Sequence, residues 1–136
     1  MQNQAVDASG VLASWSNAAG ESACHIEFAS EHWQSDIDGA PSGHPTPHAI
    51  LDAALASCTA LTLQLYVKHK GWAVSRVDVT VSHEHVQGVY RLLRQIGVEG
   101  DLSEEQRAAL LRVAQACPVH RTLVGDIAID TTLVPT

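Results

Sequence analysis

Two hydrophobic rhythms divide the chain. A period of two runs through residues 23–29, where Cys24, Ile26 and Phe28 alternate with His25 and Glu27. With the apolar run at 11–15, separated from it by the turn-forming stretch SNAAGES, this predicts a β-hairpin. Residues 34–47 carry two glycines and three prolines and predict a loop. A helix follows, with Thr46 as N-cap and Pro47 at its first position, and runs to about His69, where Gly71 stops it. Its stripe His48, Leu51, Leu55, Cys58, Thr62, Leu65 advances by three and four residues, which predicts that Cys58 faces apolar neighbours.

The period of two returns at 74–85, with Val77, Val79 and Val81 opposite Asp78, Thr80 and Ser82. After Gln87-Gly88 it continues with Tyr90, Leu92, Ile96 and Val98 on one face, predicting a second hairpin. Ser103 and Gln106 have the spacing of a capping box, opening a helix whose apolar face holds Leu110, Val113, Ala114 and Cys117. Pro118 ends that helix. A last strand is expected at 123–131, where Ile127 and Ile129 alternate with acids. The order ββ-α-ββ-α-β, joined by hairpins rather than crossovers, predicts an α+β fold of antiparallel sheets and two main helices.

Charge changes the picture more than composition does. The net charge is −7, and no lysine or arginine precedes Lys68: seven acids occupy residues 1–67, while eight acids and eight bases share the remainder. Such a surface repels phosphate backbones and argues against a nucleic-acid partner. The most apolar stretch, 50–67, is interrupted by Asp52, Cys58, Thr59, Thr62 and Gln64, so a buried core helix is expected rather than a membrane span. An odd number of cysteines, three, without a secretory leader points to a reducing, cytoplasmic setting and a single domain over residues 1–136.

Cys58 and Cys117 lie on the apolar faces of the two helices, which brings them into reach of one another if those faces share a core. Two readings stay open: a pair of small hydrophobes, or a redox pair. Cys117, in the last turn of its helix, meets the negative end of the dipole, which disfavours a thiolate and suits a resolving thiol. Cys58, far from a helix N-terminus and buried, needs a cation to ionise. Arg94 shares the face of Tyr90, Leu92, Ile96 and Val98, either snorkelling to the edge or pairing with an anion; Arg121 is the alternative cation. Cys24 is expected to be a core residue. Eight histidines, among them His44, His48, His83, His85 and His120, raise a zinc reading, but no CxxC or HExxH is present, and neither a metal nor a cofactor is expected.

Three ordered blocks, SGHPTPHAILDAALASCTALTL, VYRLLRQIGVEGDLSEEQRAALL and ACPVHRTL, resemble the OsmC/Ohr family, in particular its small OsmC-like branch, over residues 42–123. The resemblance implies an intertwined homodimer with central cysteine-bearing helices. It also implies a thiol-dependent peroxidase: Cys58 attacks a small-molecule organic hydroperoxide and becomes a sulfenic acid, Cys117 resolves it as a disulfide, and a dithiol partner reduces that. Two positions depart from the pattern. The glutamate ten residues before the first cysteine is here His48, and the N-terminal arginine has no counterpart, Arg76 being the first. Arg94 or a protonated His48 is the expected substitute. The alternatives are a non-catalytic dimer that binds a small apolar ligand or serves as a slow thiol redox sensor, and a zinc-binding module.

Overall fold

The computed structural model describes residues 10–16, 23–28, 33–38 and 43–135. The chain divides into two compact units, Met1–Ile50 with Asp130–Thr136, and Leu51–Ile129.

In the first unit, strands β1 (Val11–Ser14), β2 (Cys24–Phe28) and β3 (Gln34–Ile37) form an antiparallel sheet in sequence order. The expected hairpin is present, Val11 facing Phe28 and Ser14 facing His25. Its connecting turn, 17–22, lies outside the described residues. Strand β3 occupies what the sequence suggests is loop. Only Ile37 of its four residues is apolar and buried, so its own pattern is too weak to reveal it. Pairing with β2 makes it a strand, and polar cross-strand contacts reinforce that pairing: the His25 ring bonds Asp36 at 3.0 Å and Gln34 at 3.2 Å. Thr46 caps the next element as expected, its hydroxyl accepting from the Ala49 amide at 3.1 Å.

That element, α1 (Pro47–Lys70), carries the chain into the second unit. It is long and apolar enough to cross a membrane by length and composition. The residues it buries are Leu55, Thr59, Leu63 and Val67, a stripe spaced by four that differs from the predicted one in taking Thr59 and leaving Leu65 67% exposed. Apolar side chains surround this helix, so periodicity alone does not select the buried face. Strands β4 (Val74–Val86) and β5 (Val89–Gly100) form the expected hairpin, closed by Gln87 and Gly88 with φ of 53° and 79°. Two left-handed residues in a two-residue turn match the right-handed twist of long strands. Leu63 and Val67 pack with Leu110 and Ala114 of α2 (Glu104–Gln115), and Val77, Ile96 and Val98 of the hairpin close the cluster. The capping box is complete: Ser103 Oγ accepts from the Gln106 amide at 3.1 Å, and the Ser103 amide donates to Gln106 Oε1 at 2.8 Å.

The expected terminal strand is replaced by α3 (Pro118–Val124), followed by residues 125–135 without regular structure. Pro118 does stop α2, but with its φ already helical it also starts the next helix. Ile127 and Ile129 are 58% and 84% exposed, their alternation finding no ladder among the described residues. The observed order is βββ-α-ββ-α-α, an α+β fold with antiparallel sheets.

Gly100 tests how tightly the hairpin meets the segment after α1. A Cβ there would strike the carbonyl oxygen of Ala73, whereas one at Gly97 would meet nothing nearer than 4.0 Å. Gly100→Ala should therefore destabilise the protein by about 1–3 kcal/mol in urea unfolding, with Gly97→Ala closer to neutral.

Candidate functional site

Cys58 and Thr59 of α1, Arg94 of β5, His120 of α3 and its N-cap Cys117 form one network within the second unit. Cys117 is 0% exposed and sits between α2 and α3 as the N-cap of the latter. Its Sγ accepts a hydrogen bond from the His120 amide at 3.5 Å. The Thr59 hydroxyl lies 3.9 Å from the same sulfur and donates to the Leu55 carbonyl at 2.7 Å. A hydroxyl has one hydrogen, so it serves the carbonyl while Cys117 is a thiol and can turn to the sulfur when charge develops there. Cys58, half-buried and one residue before Thr59, lies near enough to the Cys117 thiol to lower its pKa. Both cysteines are free thiols.

Arg94 organises the far side. Its Nη1 donates to Thr59 Oγ1 at 3.0 Å and its Nη2 to His120 Nδ1 at 3.0 Å. Because a guanidinium only donates, Nδ1 of His120 must be the bare acceptor nitrogen, so a neutral His120 carries its hydrogen on Nε2. Burial and the nearby Arg94 charge hold the His120 pKa below its ordinary value. The expectation that Arg94 lies on the apolar strand face is met, but it neither snorkels out nor pairs with a carboxylate among the described residues. Arg94 reaches Cys117 through Thr59 and His120.

The electrostatic ranking of the thiols requires a correction. The end of α2 does disfavour a thiolate, but the sequence reading missed α3, whose first turn turns amides toward Sγ. Burial pushes the Cys117 pKa up, yet hydrogen bonds from Cys58, the His120 amide, Thr59 and the Val119 amide outweigh it and bring the thiol below its usual value. Thr59 itself was missed, although it follows Cys58 directly and lies four residues from both Leu55 and Leu63; a threonine in an apolar helix interior is the signal that was available.

The remaining candidates fall elsewhere. Cys24 is half-buried on the N-terminal sheet, with Ile26 and Phe28 on its face. His48 lies exposed in the first turn of α1, in the N-terminal unit, and Arg121 is exposed on α3. His83 donates Nδ1–H to Asp52 Oδ2 at 2.6 Å and stacks on Tyr90 with ring centroids 5.5 Å apart, while His85 meets the same ring edge-on. Burial and the Asp52 charge push the Tyr90 pKa up. Sequence reading placed His83 and His85 together but not Asp52, which comes from another element. Among the described residues no three His, Cys, Asp or Glu side chains gather to hold a metal ion.

Residues 39–132 match the family described as OsmC-like protein. The chain belongs to that family. No curated protein sequence matches it. Among solved structures, an OsmC-like protein from Mycoplasma pneumoniae superposes with a TM-score of 0.70 at 20% identity, covering 91% of this chain and 90% of that one. The organic hydroperoxide resistance protein OhrB of Bacillus subtilis gives 0.59 at 21% identity, with 85% and 90% covered. An organic hydroperoxide resistance protein from Elizabethkingia anophelis gives 0.65 at 19%, with 86% and 88% covered. At these identities the likeness is one of fold.

Two measurements check the site. Cys58→Ala and Thr59→Val each remove a donor to Cys117, so thiolate absorbance against pH should show the Cys117 titration move upward in both, more with Cys58→Ala. For His120 the unfolded chain takes up a proton near pH 6.5 while the folded chain resists until lower pH. Its contribution to stability is therefore full above that pH and declines as pH falls toward the depressed folded value. Urea unfolding from pH 7.5 to 5 should show a smaller loss of stability for His120→Gln than for the parent protein.

Proposed function

We propose that the protein is a thiol-dependent peroxidase for organic hydroperoxides, acting as a single OsmC-like domain, with Cys58 as attacking and Cys117 as resolving thiol. The observation that supports this reading is the proximity of two free thiols, Cys58 and the fully buried Cys117, whose sulfur is set among Thr59 and the His120 amide. Exposure divides the roles: Cys58 is reachable, and Cys117 is fully buried. Passage of the Cys58 proton to a Cys117 thiolate would supply the Cys58 thiolate that attacks.

In the first step the Cys58 thiolate attacks the terminal peroxide oxygen. An S–O bond forms, the O–O bond breaks, and the alkoxide leaves to take a proton as an alcohol; Cys58 is then a sulfenic acid. In the second step the Cys117 thiolate attacks the Cys58 sulfur, forming the S–S bond and expelling hydroxide, which takes a proton as water. Stabilisation of that thiolate by Thr59 and the α3 amides suits Cys117 to this role. An external dithiol then reduces the disulfide and is itself oxidised. The Arg94–Thr59–His120 network takes the place of the glutamate and N-terminal arginine found in peroxidases of the family.

A homodimer fits the exposed apolar surface of each unit. Leu61 and Leu65 of α1 are 60% and 67% exposed. The N-terminal sheet has an open apolar cavity of about 560 Å³ lined by Val11, Ile26, Phe28 and Ile37 among others.

The test is to treat the reduced protein with cumene hydroperoxide and with hydrogen peroxide, count free thiols and map the disulfide. Rapid loss of two thiols per chain, faster with the organic peroxide and joining Cys58 to Cys117, is the expected result. Thiols that stay inert to both peroxides would instead identify a binding protein.

A further inference from the structure

Among the described residues, no carboxylate pairs with the charge of Arg94. Five N–H groups radiate from a guanidinium, and among the described residues two of them are engaged, on a hydroxyl and a neutral imidazole. The Asp52 carboxylate, near Tyr90, is already held by His83 at 2.6 Å. A partly buried cation with neutral partners is a poor arrangement for stability by itself, since burial of a charge is compensated best by an opposite one. A cavity opens beside it.

That cavity, about 240 Å³, lies within the second unit between α1, β5 and α3. Leu55, Leu92, Leu123 and Val124 line it with apolar surface, while Arg94, His120 and Tyr90 supply the polar groups. Neither cysteine is part of the lining. Its volume is below the roughly 300–1,000 Å³ of sites for drug-sized ligands, so the occupant is small. Its chemistry follows from the walls: one anionic head for a guanidinium, and a short branched or cyclic apolar body for the leucines and valine. A planar head with two oxygens suits the remaining N–H groups best, because the guanidinium fork presents parallel donors.

The geometry points to a binding site for a small amphipathic monocarboxylate, with its head on Arg94 and its body against Leu55, Leu92 and Leu123. The site is independent of the peroxidase reading, since no thiol takes part in binding. It does have a route to the thiols: the guanidinium that would hold the carboxylate also holds Thr59 and His120, both of which contact Cys117.

The experiment is isothermal titration calorimetry of the full chain with 4-methylpentanoate, with the isosteric 4-methylpentanamide and with acetate, supported by NMR shifts of the leucine methyl groups. Saturable binding of the acid is expected, with shifts at Leu55, Leu92 and Leu123. The neutral amide should bind about tenfold or more weakly, as should acetate, which lacks the apolar body. Arg94→Gln should abolish binding, and Arg94→Lys should retain part of it. Val124, 73% exposed at the rim, provides variants that leave the Arg94 network intact: Val124→Asp should weaken binding of the acid and Val124→Lys should tighten it. Equal binding of acid and amide, insensitivity to the charge at position 124, or no saturable binding of the acid at millimolar concentration would overturn the assignment. Loss of peroxide reactivity would leave it untouched, and inert binding with active thiols would leave the peroxidase reading standing.

Discussion

The guanidinium of Arg94 ties the second unit together at the point where chemistry is possible. It projects from a strand whose alternate residues are apolar, and joins a helix hydroxyl to a histidine on α3. The same hydroxyl and the backbone amide of the same histidine touch Cys117. Strand β5, helix α1 and helix α3 are thus fastened through one cation, and the position of a buried sulfur depends on it. Thr59 answers to three neighbours at once: it accepts from Arg94, donates to Leu55 and lies against Cys117. Such a residue has little freedom to move without disturbing all of them.

Much of this frame was legible in the residues. The long hairpin announced itself by strict alternation and by Gln87-Gly88, and α2 by its capping box, because each depends on contacts within a few residues. Arg94 was placed on the correct face by the same parity. What escaped were features whose cause lies outside the local segment. Strand β3 exists through its partner β2. The buried stripe of α1 is selected by the core it meets, and a helix apolar on several sides offers no unique answer. Helix α3 was hidden because Pro118 is as good a starter as a terminator, and Ile127 and Ile129 imitate a strand. The Asp52–His83 pair joins residues from separate elements with no shared spacing.

The two thiols differ in a way that neither helix dipoles nor burial alone explains. Cys117 is fully enclosed and its pKa still lies below the ordinary value, because amide and hydroxyl donors replace the water it has lost. Cys58 is more open but has weaker support of its own.

The cap of α3 carries one more consequence. The sulfur of Cys117 occupies the position that a serine or aspartate oxygen fills at other helix starts, accepting the His120 amide. Any bond that draws this sulfur toward α1 takes it away from α3, and leaves the His120 amide seeking another acceptor. The covalent state of Cys117 thus bears on the first turn of a seven-residue helix. Since α3 also carries Leu123 and Val124 into the cavity wall, a change of sulfur chemistry would be felt as a change in the shape of that wall.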